Sequence, residues 1–198
     1  VISPLSNLSN LKKLKFGQHF NQDIYNLKFL KNLECLEFGD CFNQNITVLD
    51  CLVNLKVLKF GTWFNKEITI LNYLPNLEVF EIGNNFSKDL SVLFNMINLK
   101  SLILKSRYDV KIEYLSSLVN LEYLSIDVRK DQSMEPLYSL SNLKTLIIDG
   151  NFDHSVIPIF NLSKLEKLDI HKDKIGELMF LIDNYEDFTR WRLILFSD

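Results

Sequence analysis

The chain has 198 residues, 47% hydrophobic and 24% charged, and its 22 basic against 25 acidic side chains leave a net charge of −3. That is the composition of a folded chain rather than a disordered one, and the near balance of charge argues against a nucleic-acid or polybasic membrane surface. Only 6 Gly and 4 Pro leave little material for a flexible linker, and no apolar run approaches the roughly 20 residues of a membrane-spanning helix.

The chain opens on Ile2, Leu5 and Leu8, which stand 22 residues before Ile24, Leu27 and Leu30. It thus starts halfway through a repeating unit, and further chain is expected upstream of Val1. From Leu11 the unit is complete. Leu11, Leu33, Leu55, Leu77, Leu99, Leu121, Leu143 and Leu165 mark successive copies with no insertion or deletion between them. A fixed period in the 20s predicts a solenoid, in which each copy buries its apolar side only against its neighbours.

Within a copy two spacings alternate. Leu33-x-x-Leu36-x-Phe38 reads as a short strand with one face buried, and Leu58/Phe60, Phe80/Ile82, Leu102/Leu104, Leu124/Ile126, Leu146/Ile148 and Leu168/Ile170 repeat it. One strand per copy predicts a continuous parallel sheet, whose strands need a crossover. There the apolar residues fall three apart (Ile24, Leu27, Leu30, Leu33; then Ile46, Leu49, Leu52, Leu55). A period of three suits 3₁₀ turns better than an α-helix. The bulkier crossovers are expected on the convex outside, with the sheet curving on the concave inside.

Three polar columns run through the repeat. Asn10, Asn32, Asn54, Asn76, Asn98, Asn120 and Asn142 each precede the first Leu of a strand, with Lys164 in the last copy. Asn tolerates left-handed backbone and bonds nearby main chain, which suits a turn. Asn21, Asn43, Asn65, Ser87, Asp109, Asp131 and Asp153 form a second column of short side chains able to cap a backbone N–H. Its drifting identity marks it as structural. The third column alternates in sign: Lys12, Glu34, Lys56, Glu78, Lys100, Glu122, Lys144, Glu166, echoed by Lys15, Glu37, Lys59 and Glu81. Stacked, these become opposite-charge neighbours, and skipping one copy would set like beside like. Glu78→Lys is therefore expected to cost more stability than the same change at an unpatterned Glu such as Glu113.

Leu11-Lys12-Lys13-Leu14-Lys15-Phe16-Gly17-Gln18-His19-Phe20-Asn21-Gln22-Asp23-Ile24 resembles the FNIP repeat, a 22-residue relative of the leucine-rich repeats. Phe38-Gly39, Phe42-Asn43 and Ile46 match in the second copy, and Phe60-Gly61, Phe64-Asn65 and Ile68 in the third. The resemblance covers essentially residues 1–180. It implies an α/β leucine-rich-repeat solenoid and points to amoebae or the giant viruses that infect them. In that family the repeats sometimes follow an F-box, which implies substrate recognition for a ubiquitin ligase; no F-box segment is identifiable here. The later copies depart from the motif: Gly gives way to Lys105, Asp127, Asp149 and His171, and the Phe-Asn pair to Tyr108-Asp109, Lys130-Asp131 and Phe152-Asp153. The position that holds Asn or Cys in leucine-rich repeats holds His19, Cys41, Trp63, Asn85, Arg107, Arg129, Asn151 and Asp173, so the Asn/Ser/Asp column is expected to do its work. After Leu181 the period breaks. Residues 1–174 are expected to form the solenoid and 175–198 a C-terminal cap, with a helix from Gly176 to Asp187, an out-of-phase strand over 190–196, and Trp191 covering the core.

No catalytic pattern emerges, and the expectation is a chain that is not an enzyme and uses no cofactor or metal. His19, His154 and His171 lie in separate copies at no metal-ligand spacing, no Ser sits in a nucleophile-elbow setting, and Cys41 has no His beside it in the motif. Cys35, Cys41 and Cys51 are odd in number and lack C-x-x-C spacing, so free thiols in a reducing, cytoplasmic compartment are expected, the host's cytoplasm for a viral chain. Binding is the better class. The solvent-facing strand residues are charged or small at first (Lys13, Lys15, Cys35, Glu37) and turn apolar at Val57, Val79, Ile103, Tyr123 and Ile147. An apolar patch with a charged margin is a candidate partner site, weighed against the plain suitability of β-branched residues for strands. Trp63, Arg107 and Arg129 are expected to project from the loops along one edge and complete it. The expected role is a non-catalytic module binding a protein partner through the concave face. The alternative is a structural or self-associating segment that stacks through its open N-terminal end.

Overall fold

Residues alternating between core and solvent become strands, one per copy, in a computed structural model that describes residues 2–106, 111–128, 132–150, 155–170 and 175–184. The strands are β1 (Lys13–Lys15), β2 (Cys35–Glu37), β3 (Val57–Lys59), β4 (Val79–Ile82), β5 (Ser101–Leu104), β6 (Tyr123–Asp127), β7 (Thr145–Asp149) and β8 (Lys167–Ile170). They form one open eight-stranded sheet in chain order, every neighbouring pair parallel. Register advances by one copy per strand, so Lys13 faces Cys35, which faces Val57, which faces Val79.

Between strands the expected 3₁₀ turns form, among them Tyr25–Phe29, Thr47–Cys51, Thr69–Tyr73 and Ser91–Asn95. Their apolar spacing follows from the bonding. The amides of Leu27, Leu30 and Leu33 donate to the carbonyls of Ile24, Leu27 and Leu30, each at 2.9 Å. Each bond spans three residues, so every third side chain points the same way. Leu27, Leu30, Leu33 and Leu36 are consequently buried together, and the same ring recurs in later copies as one continuous core.

Two phenylalanine columns fill the far side of that core in the early copies. Phe38 stacks on Phe42 and Phe60 on Phe64, each with ring centroids 3.8 Å apart, and Phe38 meets Phe60 at 5.4 Å across copies. The glycines of Phe38-Gly39 and Phe60-Gly61 are explained by the copy before them. A Cβ on Gly39 would lie 2.5 Å from the backbone of Gly17 and Gln18, and one on Gly61 would lie 2.5 Å from Asp40. The strands lengthen from three residues in β1–β3 to four in β4 and β5 and five in β6 and β7, where Asp127 pairs with Asp149, and Lys105 takes the glycine's place after β5. Ser106 is buried there and donates to the Phe86 carbonyl at 2.6 Å.

The Asn column does its work through its side chain. No non-glycine residue among those described has a positive φ, so left-handed tolerance is not what selects Asn. Instead each Nδ2 donates to the preceding copy's main chain: Asn32 to Ser9, Asn54 to Lys31, Asn76 to Val53, Asn98 to Pro75, Asn120 to Ile97 and Asn142 to Val119, at 2.8–3.0 Å. The second column caps as expected where it is described. Asn21, Asn43 and Asn65 accept the amides of Asn43, Asn65 and Ser87 at 2.9–3.0 Å. At the far end the helix α1 (Ile175–Asn184) buries Leu178, Leu181 and Ile182 in the common core, and Glu177 accepts the Val156 amide at 3.1 Å. The expected strand over 190–196, with Trp191, lies outside the described residues, as do Asp109, Asp131 and Asp153.

Candidate functional site

The outward strand residues make two columns on the sheet face. The first runs Lys13, Cys35, Val57, Val79, Ser101, Tyr123, Thr145, Lys167, and the second Lys15, Glu37, Lys59, Glu81, Ile103, Ser125, Ile147, Asp169. Val57 and Val79 are therefore direct register partners in column one, while Ile103 and Ile147 belong to column two. Tyr123 returns to column one beside Ser101 and Thr145. The apolar residues share one face as a zigzag across the two columns. Ser101 interrupts it in one column and the buried Ser125, 5% exposed, in the other. Each of the five is half-buried, because flanking strands about 4.8 Å away shield it.

The margin is ionic. Column two pairs Lys59 with Glu81 at 3.4 Å beside Val57 and Val79, and Lys15 with Glu37 at 3.0 Å beside Lys13 and Cys35. Just before the strands the other ladder pairs Glu34 with both Lys12 (2.8 Å) and Lys56 (3.1 Å), Glu78 with Lys100 (3.0 Å), and Glu122 with Lys144 (2.6 Å). The Lys12 ammonium, followed by that of Lys56, holds the Glu34 carboxyl below its ordinary range, and Lys144 does the same for Glu122. These pairs are solvated, so their worth lies more in register than in stability. Burial, with Glu37 second, pushes the Cys35 thiol up, which keeps it protonated and unreactive near neutrality. All three cysteines are free.

Trp63 is 60% exposed on the loop after β3, beyond the strand ends, and its amide donates to the Asp40 carbonyl at 2.9 Å. It stands at the rim rather than on the face. Arg107 and Arg129 lie outside the described residues. Stacking also joins what the linear motif separates: His19 Nδ1 lies 3.8 Å from Cys41 Sγ, one copy apart. No cluster of three or more His, Cys, Asp or Glu among the described residues is placed to hold a metal ion. No helix there is long and apolar enough to cross a membrane.

Two further surface features escaped the sequence reading. A groove of about 590 Å³ runs along the strand starts over Asn76, Asn98, Asn120, Asn142 and the Lys/Glu ladder. Beside it Val53, Ile97 and Val119 are exposed in the turn ahead of the Asn column. The signal was present, since these residues sit one place before each Asn at the same 22-residue spacing. Their carbonyls are the ones the Asn side chains bond.

A single-layer parallel sheet with one short 3₁₀ crossover per turn is the leucine-rich-repeat fold. The chain superposes on an internalin, InlF, from Listeria monocytogenes with a TM-score of 0.71 at 23% identity, over 87% of this chain and 53% of the internalin. Internalin C2 from the same bacterium gives 0.68 at 24% identity, over 81% and 73%. The leucine-rich-repeat ectodomain of the Arabidopsis thaliana receptor kinase GASSHO1/SCHENGEN3, solved in complex with Casparian strip integrity factor 2, gives 0.65 at 21% identity, over 86% of this chain and 22% of that one. The chain thus spans about half the length of InlF. No protein-family model and no curated protein sequence matches it.

Proposed function

We propose that this chain is a non-catalytic protein-interaction module that grips a partner on the exposed sheet face, with Val57, Val79, Ile103, Tyr123 and Ile147 at the centre. The observation that carries the reading is the band of five half-buried apolar residues on the sheet face, bordered by the Lys59–Glu81 pair at its β3–β4 end and by the Lys/Glu ladder along the strand starts. A dry apolar centre inside a polar margin is how protein interfaces are built. Trp63 extends the surface at the rim, with Arg107 and Arg129 as further loop contacts. The plant ectodomain that shares the fold supports the reading, because it was solved with a bound partner. Its finer form follows the FNIP-type resemblance: a cytoplasmic substrate-recognition element for an F-box ubiquitin ligase, in an amoebal or giant-virus setting, with 175–198 as the cap of a 1–174 solenoid.

The test is a Val79→Asp/Tyr123→Ala double variant, compared with the unchanged chain by circular dichroism and by capture of partners through photo-crosslinkers on the sheet face. The variant is expected to fold normally and lose the partners; normal folding with every partner retained overturns the reading. The second reading is a structural segment that stacks end to end, and a monomeric mass for the isolated chain over a wide concentration range would count against it.

A further inference from the structure

Side chains two apart on a strand share a face, so Tyr123, Ser125 and Asp127 of β6 point to the same side of the sheet. Ser125 is the register partner of Ile103 on one side and Ile147 on the other. A serine between two isoleucines leaves a notch. At the strand ends the notch opens into a cavity of about 290 Å³, whose lining includes Asn84, Lys105, Ser125, Asp127 and Asp149. Ser125 is 5% exposed, yet its hydroxyl has no hydrogen-bond partner among the described residues. A buried hydroxyl left in that state costs stability and needs a reason.

The charges beside it break the rule kept elsewhere. Both lysine–glutamate ladders alternate in sign, but Asp127 and Asp149 are register partners of like charge, which is destabilising unless a cation answers it. Lys105 lines the same cavity and forms no ion pair among the described residues, and neither does the exposed carboxylate of Asp149. The turn after β7 accommodates the arrangement. A Cβ on Gly150, whose φ is +96°, would collide with Asp127 Oδ1.

We propose that the Ser125 notch is the anchor point for one arginine side chain of the protein that the sheet face binds, an inference that rests on the interaction-module reading of that face. The apolar stem of the arginine lies between Ile103 and Ile147, and its N–H donors answer the Ser125 hydroxyl and the aspartate pair together. Two aspartates against Lys105 leave a single net negative charge, which one guanidinium balances. A divalent cation overshoots that charge and wants more oxygen ligands than the site supplies. No group of three His, Cys, Asp or Glu among the described residues is placed to hold one.

The test titrates the 198-residue chain with acetyl-Leu-Arg-Leu-amide, and with the same peptide carrying citrulline, the neutral isostere of arginine, while backbone amide NMR shifts are followed. The arginine peptide is expected to move the amides of Ser125, Asp127 and Asp149 saturably, and the citrulline peptide to bind about fivefold more weakly. Asp149→Asn is expected to remove most of that difference. Ser125→Ile, which fills the notch with the residue its column carries on either side, is expected to fold as before by circular dichroism and to lose the binding. Equal affinity for the two peptides, an arginine preference that survives Asp149→Asn, or binding retained by a folded Ser125→Ile chain would overturn the proposal. So would calcium chloride moving the same amides at lower concentration than the peptide, which would make this a metal site. The short peptide reads the notch without the partner. Its failure therefore leaves the loss of partners by Val79→Asp/Tyr123→Ala standing, and partners retained by that variant leave the titration standing.

Discussion

Phe42 is wholly buried and stacked on Phe38, with Phe20 and Phe64 from the adjoining copies at about 6 Å. Emptying that site leaves a cavity that rigid neighbours on both sides cannot close. Phe42→Ala should therefore cost about 3–5 kcal/mol in urea unfolding, whereas Trp63→Ala, at the rim, should stay within about 0.5 kcal/mol; similar losses would contradict the packing. Glu34 supplies a pH test. Its folded-state pKa is lowered by Lys12 and Lys56, so its contribution is present above the unfolded value and is lost as pH falls through the folded one. Glu34→Gln should accordingly narrow the gap between thermal midpoints at pH 7 and pH 3, and an unchanged gap would argue against the pair. The buried Leu and Phe positions are legible in the sequence because burial dictates residue type directly. Gly39 is not, because its reason lies in the backbone of Gly17 and Gln18, which only the stack brings near.

At the scale of elements, strand and crossover are readable because their geometry imposes different periods on the same apolar residues. Alternation gives Leu36 and Phe38 to β2, and the three-residue bonding of 3₁₀ turns gives Leu27, Leu30 and Leu33 to the crossover. The Asn column was placed correctly and explained incompletely. Its turn position shows in the sequence, but the carbonyl it bonds lies 23 residues back. Charge alternation behaves similarly, since opposite signs at 22-residue spacing mean nothing until strands stack. Glu78→Lys, which sets like charge beside Lys100, should lower the urea midpoint more than Glu135→Lys. Glu135 is the better control, because Glu113 approaches Lys111 at 3.9 Å. Equal shifts would remove the ladder's role in register.

For the whole molecule, each copy touches chiefly its neighbours, so stability and surface both arise from stacking. That is why the face was predictable and the grooves were not. Val57 and Val79 point outward by alternation alone, while the groove over Asn76, Asn98 and Asn120 exists only between copies. One unbroken stack runs from β1 to β8. With Cys35, Cys41 and Cys51 replaced by serine, spin labels at Lys13→Cys and Lys167→Cys would mark exposed positions of one column, seven strand steps apart. A distance measurement between them should give a single population at about 30–34 Å, the lower value for a curved stack. Two populations, or a distribution centred near about 20 Å, well short of seven such steps, would contradict it.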